Sequence, residues 1–374
     1  MPGGPFEFDV LIIVTSDPRY DTRSTKFLTS LTGIGYSAKV IGVCSDGEPT
    51  QSAEVVRVPL RATTGKRFFA GFYRRVIPEA IKARAKVVIA GDLFSLPPAI
   101  INKRRHSSGA NRVKLIYDSK ELYKELPSLK RKRSSFLFWN LVEKSAIRYV
   151  DSVLTVNQSI ADILDARWHV PISVVMNVPD RTAVSVSAKS FDKVVLAFSG
   201  GLQPGRGLHN LIKLMALLPE HYELRFVGDG LLRGELSALA SSLKLDKRIH
   251  FTGRVRNNEV VTELSKAHIG IYLMENAGLC HYLALPNKFF QFISARLPVI
   301  VPKFPEMERI VNKYHIGAAV DPSDLHETAA KVLEFSNDRE LYGKLRENCE
   351  KAAEELNWEV EKEKFLGVVR TLIQ

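Results

Sequence analysis

The chain has 374 residues, a formal net charge of +12, 45% apolar residues and 25% charged residues. This is enough for two domains with cores of their own, and the balance is ordinary for a soluble globular protein. No apolar run approaches the roughly 20 residues that span a bilayer, the N-terminal Met-Pro-Gly-Gly-Pro-Phe-Glu-Phe-Asp lacks a basic-then-apolar leader pattern, and Cys44, Cys280 and Cys349 are few, odd in number and far apart, which argues for a reducing compartment and against a zinc cluster.

Phe8 to Thr15 reads as a buried strand, Ser24 to Leu31 as a helix and Ala38 to Val43 as a second strand. Together they make a βαβ unit, which implies a parallel sheet with a ligand crevice at the strand C-termini. Arg19 and Arg23 sit in and just after the first loop. They serve either a phosphate or acceptor, or surface salt bridges. Gly65 to Val76 is basic and aromatic together. Phe68, Phe69, Phe72 and Val76 share one helical face, with Arg67, Arg74 and Arg75 at its edges. That helix lies either on an anionic membrane surface or against the core with solvated arginines.

Two further strands end in acids, at Asp92 and at Asp118, where a crevice group or a helix cap is expected. Lys120 and Glu121 follow the second. Lys130, Arg131, Lys132 and Arg133 form the densest basic stretch and precede Phe136, Phe138 and Trp139. This suits a headgroup layer or, equally, a solvated loop leading into a core helix. The helix runs on to Arg148, and Asp151 to Asn157 contains another strand. Residues 1–180 hold 27 Lys and Arg against 17 Asp and Glu, whereas residues 181–374 hold 26 against 24. The first part is therefore the one to meet an anionic partner. The basic residues carry no nucleic-acid recognition motif.

Residues 180–190 are small and polar and read as a linker. A new strand, Lys193 to Ser199, then enters the loop Gly200-Gly201-Leu-Gln-Pro-Gly205-Arg206-Gly207, followed by a helix from Leu208 to Leu218. Glycine amides approach phosphate oxygens closely, and Arg206 offers a fork suited to them. Strands follow at Glu223 to Gly228, His250 to Gly253 and Ile269 to Leu273. At Pro286 a loop feeds a helix start, because the missing proline N–H costs nothing there. Phe289, Phe290 and Ile293 share a face of that helix, and Val299 to Val301 is a short buried strand. Lys288 adds a cation at a helix N-terminus, and Gln291 adds an amide. The arrangement is either a site for phosphate plus a hydroxylated group, or an ordinary helix–strand unit with a solvated lysine. An amphipathic helix from Trp358 ends the chain.

Ala284-Leu-Pro-Asn-Lys-Phe-Phe-Gln-Phe292, followed by Leu297-Pro-Val-Ile300, resembles the donor-binding segment of the retaining GT-B-fold glycosyltransferases, family 4-like, whose usual form is Ala-Leu-Pro-Asn-Lys-Leu-Phe-Glu-Tyr. The likeness runs along nearly the whole chain, including Leu93-Phe-Ser-Leu-Pro97, Tyr117-Asp-Ser-Lys-Glu-Leu122 and the glycine loop. It implies an α/β fold of two Rossmann-like domains facing across a cleft. An acceptor domain over residues 1–179 would be joined by a returning helix at 358–374, with a nucleotide-sugar domain over 191–357. The implied catalytic set is Asp92, Lys120, Glu121, Arg206 and Lys288. The implied donor set is Ser199, Gly200, Gly201, Arg206, Gly228, Gly253, Arg254, Asn287, Lys288 and Gln291. Arg19, Arg23, Arg67, Arg74 and Lys130–Arg133 would meet acceptor or membrane.

The chain departs from the family pattern in four places. Lys120 replaces a histidine, Gly201 replaces an arginine, and Leu283 and Gln291 replace two glutamates. No Asp-x-Asp metal motif is present, so no metal or other cofactor is expected. The partners expected are a nucleotide-sugar, with UDP as the favoured base, and a glycan or lipid-linked acceptor, at a cytoplasmic location that includes the membrane face. Two alternatives stand beside transfer: a catalytically weak scaffold or partner subunit, and a nucleotide-sugar epimerase.

Overall fold

The computed structural model describes residues 5–45, 50–62, 65–109, 111–126, 129, 132–182, 184 and 189–374. Two compact units emerge: Met1–Met176 with Glu361–Gln374, and Asn177–Val360.

The first unit contains β1 (Phe8–Ile13), α1 (Thr22–Thr32), β2 (Ala38–Cys44), β3 (Thr50–Gln51), β4 (Val55–Pro59), α2 (Gly65–Lys82), β5 (Ala85–Ala90), α3 (Leu96–His106), β6 (Lys114–Ser119), α4 (Arg133–Ala146), β7 (Ser152–Thr155), α5 (Gln158–Asp165) and β8 (Ile172–Val174). Its eight-stranded sheet runs β3-β4-β2-β1-β5-β6-β7-β8 and is parallel except at the β3–β4 pair. The order reverses direction at β1, between β2 and β5. Such a switch point opens a crevice beyond the strand C-termini. β1 and β5 are near-continuous apolar runs because helices cover both of their faces.

The second unit contains β9 (Val194–Ser199), α6 (Leu208–Met215), β10 (Tyr222–Val227), α7 (Arg233–Ser242), β11 (Ile249–Gly253), α8 (Val260–Leu264), β12 (Ile269–Ile271), α9 (Leu279–Tyr282), α10 (Asn287–Ser294), β13 (Val299–Pro302), α11 (Pro305–Tyr314), β14 (Gly317–Val320), α12 (Leu325–Asn337) and α13 (Arg339–Glu355). All pairs in its sheet, β11-β10-β9-β12-β13-β14, are parallel. Here the switch point lies at β9, between β10 and β12. α10 seals its apolar face completely, with Phe289, Phe290, Phe292 and Ile293 all at 0% exposure.

α14 (Trp358–Ile373) begins in the second unit and returns to the first. There Phe365 stacks on Phe27 of α1 at 4.0 Å, and Glu361 accepts the Met176 N–H at 2.7 Å. The two Rossmann-like sheets and the returning helix are the architecture the sequence implied.

The structure places two first-unit residues whose surroundings the sequence left open. Arg23 is not a surface residue: it is 2% exposed and forms a two-point ion pair with Asp118, both contacts at 2.8 Å, while donating to Val175 O at 2.9 Å. Asp118 is therefore this arginine's partner rather than a helix cap. Trp139 also turns inward, wedged against Phe69 and Phe94 at 4.9 and 4.7 Å.

Candidate functional site

β9 ends at Ser199, and the chain turns at Gly200, whose φ is +124°. A side chain is excluded there twice over. The dihedral is one that L-residues rarely adopt, and a Cβ would stand 1.8 Å from Cε of Lys288. The lysine stem thus lies directly across the glycine. Lys288 reaches this place because Pro286, at φ −77° and ψ 146°, caps α10 and leaves Asn287 and Lys288 in its first turn. One turn on, Gln291 receives a hydrogen bond from Ser199 Oγ at 2.9 Å. The end of β9 and the start of α10 are joined by that bond.

Arg206 comes from the same glycine loop. A Cβ on Gly201 would be 3.9 Å from its Nη1. The arginine that the family carries at position 201 is absent, and the Arg206 guanidinium stands beside the space left. Gly207 then takes φ +67° against Leu273 O, where a Cβ would be 1.8 Å away, and starts α6. Among the described residues, neither Arg206 nor Lys288 has a hydrogen-bonding or ion-pairing partner. Burial and the neighbouring Arg206 push the Lys288 amine down to about 8. Two cations thus stand near one another beside the glycine loop, and among the described residues no carboxylate pairs with either.

The remaining donor candidates surround this core. Gly228 bridges Gly253, and Gly228 itself stands against Gly200 O. Arg254 is exposed, and Asn287 is half-buried in the first turn of α10. Leu283 is buried and offers no polar group. His281 Nδ1 lies 3.3 Å from Glu275 O, and a Cβ on Gly205 would be 3.6 Å from its ring. Arg233 went unnoticed in the sequence. It stands over Phe251, 5.9 Å from the ring centroid, beside Gly253.

In the first unit, the loops after β1 and β5 bring together Thr15 and Asp92, and Lys120 directly follows β6. Asp92 is a cap: Oδ1 accepts from Ser95 N at 2.8 Å, and Oδ2 accepts from Thr15 N and Oγ1 at 3.1 and 2.6 Å. Both of its oxygens thus accept from protein donors. Lys120 Nζ is 3.7 Å from Asp21, the residue that caps α1. Burial works against the Asp21 carboxylate, but Lys120 and the Ser16 hydroxyl win and hold its pKa below the ordinary value. Glu121 is exposed and its backbone carbonyl accepts from Ser119 Oγ. Arg19 pairs with Asp17 at 3.1 Å, and Arg57, another residue the sequence did not flag, holds the same carboxylate at 2.9 Å.

Arg67 and Arg74 lie exposed on α2, and Lys132 and Arg133 lie exposed at the start of α4. Lys130 and Arg131 lie outside the described residues. Leu137, Phe138 and Leu141 of α4 are 55%, 57% and 64% exposed. Contacts of Phe69 on α2 with Trp139 on α4 place the two helices side by side. Among the described residues, no group of three or more His, Cys, Asp or Glu could hold a metal ion, and no helix is long and apolar enough to cross a membrane.

Residues 181–356 match the family described as glycosyl transferases group 1. An uncharacterized glycosyltransferase of Methanocaldococcus jannaschii is 23% identical over 195 residues, which are 50% of this chain and 48% of that protein. The chain thus matches about half the length of this curated relative. The sucrose-phosphate synthase of Thermosynechococcus elongatus superposes with a TM-score of 0.79 at 16% identity, over 97% of this chain and 98% of that one. The Anabaena protein HepE, solved with UDP, superposes at 0.72 with 15% identity, over 97% and 100%. At such identities the likeness establishes the fold, which is GT-B.

Proposed function

We propose that this chain, whose residues 181–356 match the family described as glycosyl transferases group 1, moves a sugar from a nucleotide-sugar onto a hydroxyl of a glycan or lipid-linked acceptor with retention at the anomeric carbon. The observation that carries the reading is the pair of unpartnered cations, Arg206 and Lys288, set against Gly200. A diphosphate fits them in charge, and its negative charge grows as the sugar leaves. Preorganised donors aimed at developing charge are worth about 3 kcal/mol each in a water-poor site. Arg206, Lys288 and the free N–H groups at the start of α10 supply that stabilisation without a metal. UDP is the favoured nucleotide, a choice supported by the UDP held in the Anabaena structure.

The Ser199 hydroxyl donates to Gln291 Oε1. The Gln291 NH₂ is then left to face a hydroxylated group such as ribose. The acceptor belongs to the basic first unit. There Lys132, Arg133, Arg67 and Arg74 flank the exposed Leu137, Phe138 and Leu141, a combination suited to an anionic bilayer surface.

The experiment is a thermal-shift panel of nucleoside diphosphates on the full chain, followed by turnover of the matching sugar nucleotide. UDP is expected to raise Tm, and Arg206→Ala and Lys288→Ala are each expected to lower kcat/KM at least about tenfold. Wild-type rates in both variants would overturn the reading.

A further inference from the structure

The opposite end of the second sheet, at the N-termini of β9 and β12, holds a second group of cations. His268 sits at its centre, just before β12. Its Nδ1 accepts the Val195 N–H at 3.0 Å, and its Nε2 lies 2.9 Å from Ser190 O. Both ring nitrogens are therefore committed to the backbone as a neutral tautomer, and burial pushes its pKa down to about 4. Lys189 donates to Ala267 O beside it. Burial and Arg346 push the Lys189 amine down to about 7. Arg339 covers the Phe191 ring at 3.3 Å, and Phe191 in turn packs edge-on against both His268 and Tyr342.

Arg346 is the anomaly. It lies one turn beyond Tyr342 on α13, with its guanidinium 5.8 Å from that ring. Its Nε is sealed from solvent and has no hydrogen-bond partner. Among the described residues no hydrogen bond or ion pair reaches any of its donors, and no carboxylate pairs with Lys189 or Arg339 either. A sealed, unpaired guanidinium donor is costly, and so is a desolvated ammonium next to it. An oxyanion between them removes both costs. The arginine fork matches two of its oxygens, and the lysine adds a point charge.

We infer that Lys189 and Arg346 form a binding site for a tetrahedral oxyanion of the phosphate class, separate from the Arg206–Lys288 site. The two sites lie at opposite ends of β9: Val195 is at the start of the strand and Ser199 at its end. Lys189 lies within the second unit just ahead of β9, so a bound anion ties the approach to that strand to α13.

The test uses inorganic phosphate on the full chain at constant ionic strength, read by thermal shift and by ³¹P line broadening. The double variant Arg206→Ala with Lys288→Ala serves as a background in which the first site is disabled. Saturable stabilisation of about 3 °C is expected in both the wild type and this background. Arg346→Gln and Lys189→Met are each expected to weaken phosphate at least tenfold. Without phosphate, Lys189→Met is expected to hold or raise Tm, because it removes a desolvated charge. The inference is overturned if phosphate does not broaden or stabilise, if Arg346→Gln and Lys189→Met leave its affinity intact, or if the effect vanishes in the double variant. Where a variant melts early, the ³¹P titration at low temperature still reads its affinity.

Discussion

Lys288 lying across Gly200 makes the glycine and the lysine one functional element. Gly200→Ala would force a Cβ into the lysine stem at a dihedral that alanine resists. It is therefore expected to weaken UDP about as much as Lys288→Ala does, tenfold or more, in a calorimetric titration; unchanged affinity would show that the stem is free to move aside. The depressed Lys288 amine sets a pH dependence. Below about 8 the amine is charged and, on the proposed function, pairs with the diphosphate; above it the free protein loses the charge. UDP affinity is expected to fall at least threefold between pH 7.5 and pH 9.5 in the wild type, and this slope is expected to disappear in Lys288→Ala. Arg23 and Asp118 pose a different problem, because their pair is sealed in the first unit. Asp118→Asn leaves a buried guanidinium without its counter-charge and is expected to cost about 3–5 kcal/mol. A loss under 1 kcal/mol in chemical denaturation would contradict that.

At the scale of elements, the parts that could be read in the sequence were those written in periodicity and punctuation. The apolar runs at Phe8–Ile13 and Val194–Ser199 became central strands, and Pro286 opened α10. A stripe of apolar residues shows that a helix is amphipathic, yet it does not say which stripe turns inward. On α4 the buried residues are Trp139, Glu143 and Ala146, while Leu137, Phe138 and Leu141 face out. Charged residues were harder still, since an arginine in a loop looks the same whether a carboxylate waits 95 residues away or not. Arg23, Arg57 and Arg346 were illegible for that reason: their partners, or the lack of them, exist only once the sheets are assembled. The outward stripe carries its own prediction. Flotation with anionic liposomes at low salt is expected to depend on Leu137, Phe138 and Leu141, and changing the three to serine is expected to reduce the bound fraction severalfold. Binding that survives this change, or no binding by the wild type, would remove the membrane from the account.

For the whole molecule, charge and cation placement divide the labour. The positive excess is concentrated in residues 1–180, the part holding α2 and α4, whereas the second unit is nearly neutral and still keeps two cations unpaired at the end of β9. A nearly balanced domain has carboxylates to spare, so finding Arg206 and Lys288 without one among the described residues is what supports the proposal that they meet an anion. The most direct measurement is a crystal structure of the chain with UDP. The account predicts the diphosphate within hydrogen-bonding distance of both the Arg206 guanidinium and Lys288 Nζ, over Gly200. A nucleotide bound elsewhere, with those two side chains left untouched, would contradict it.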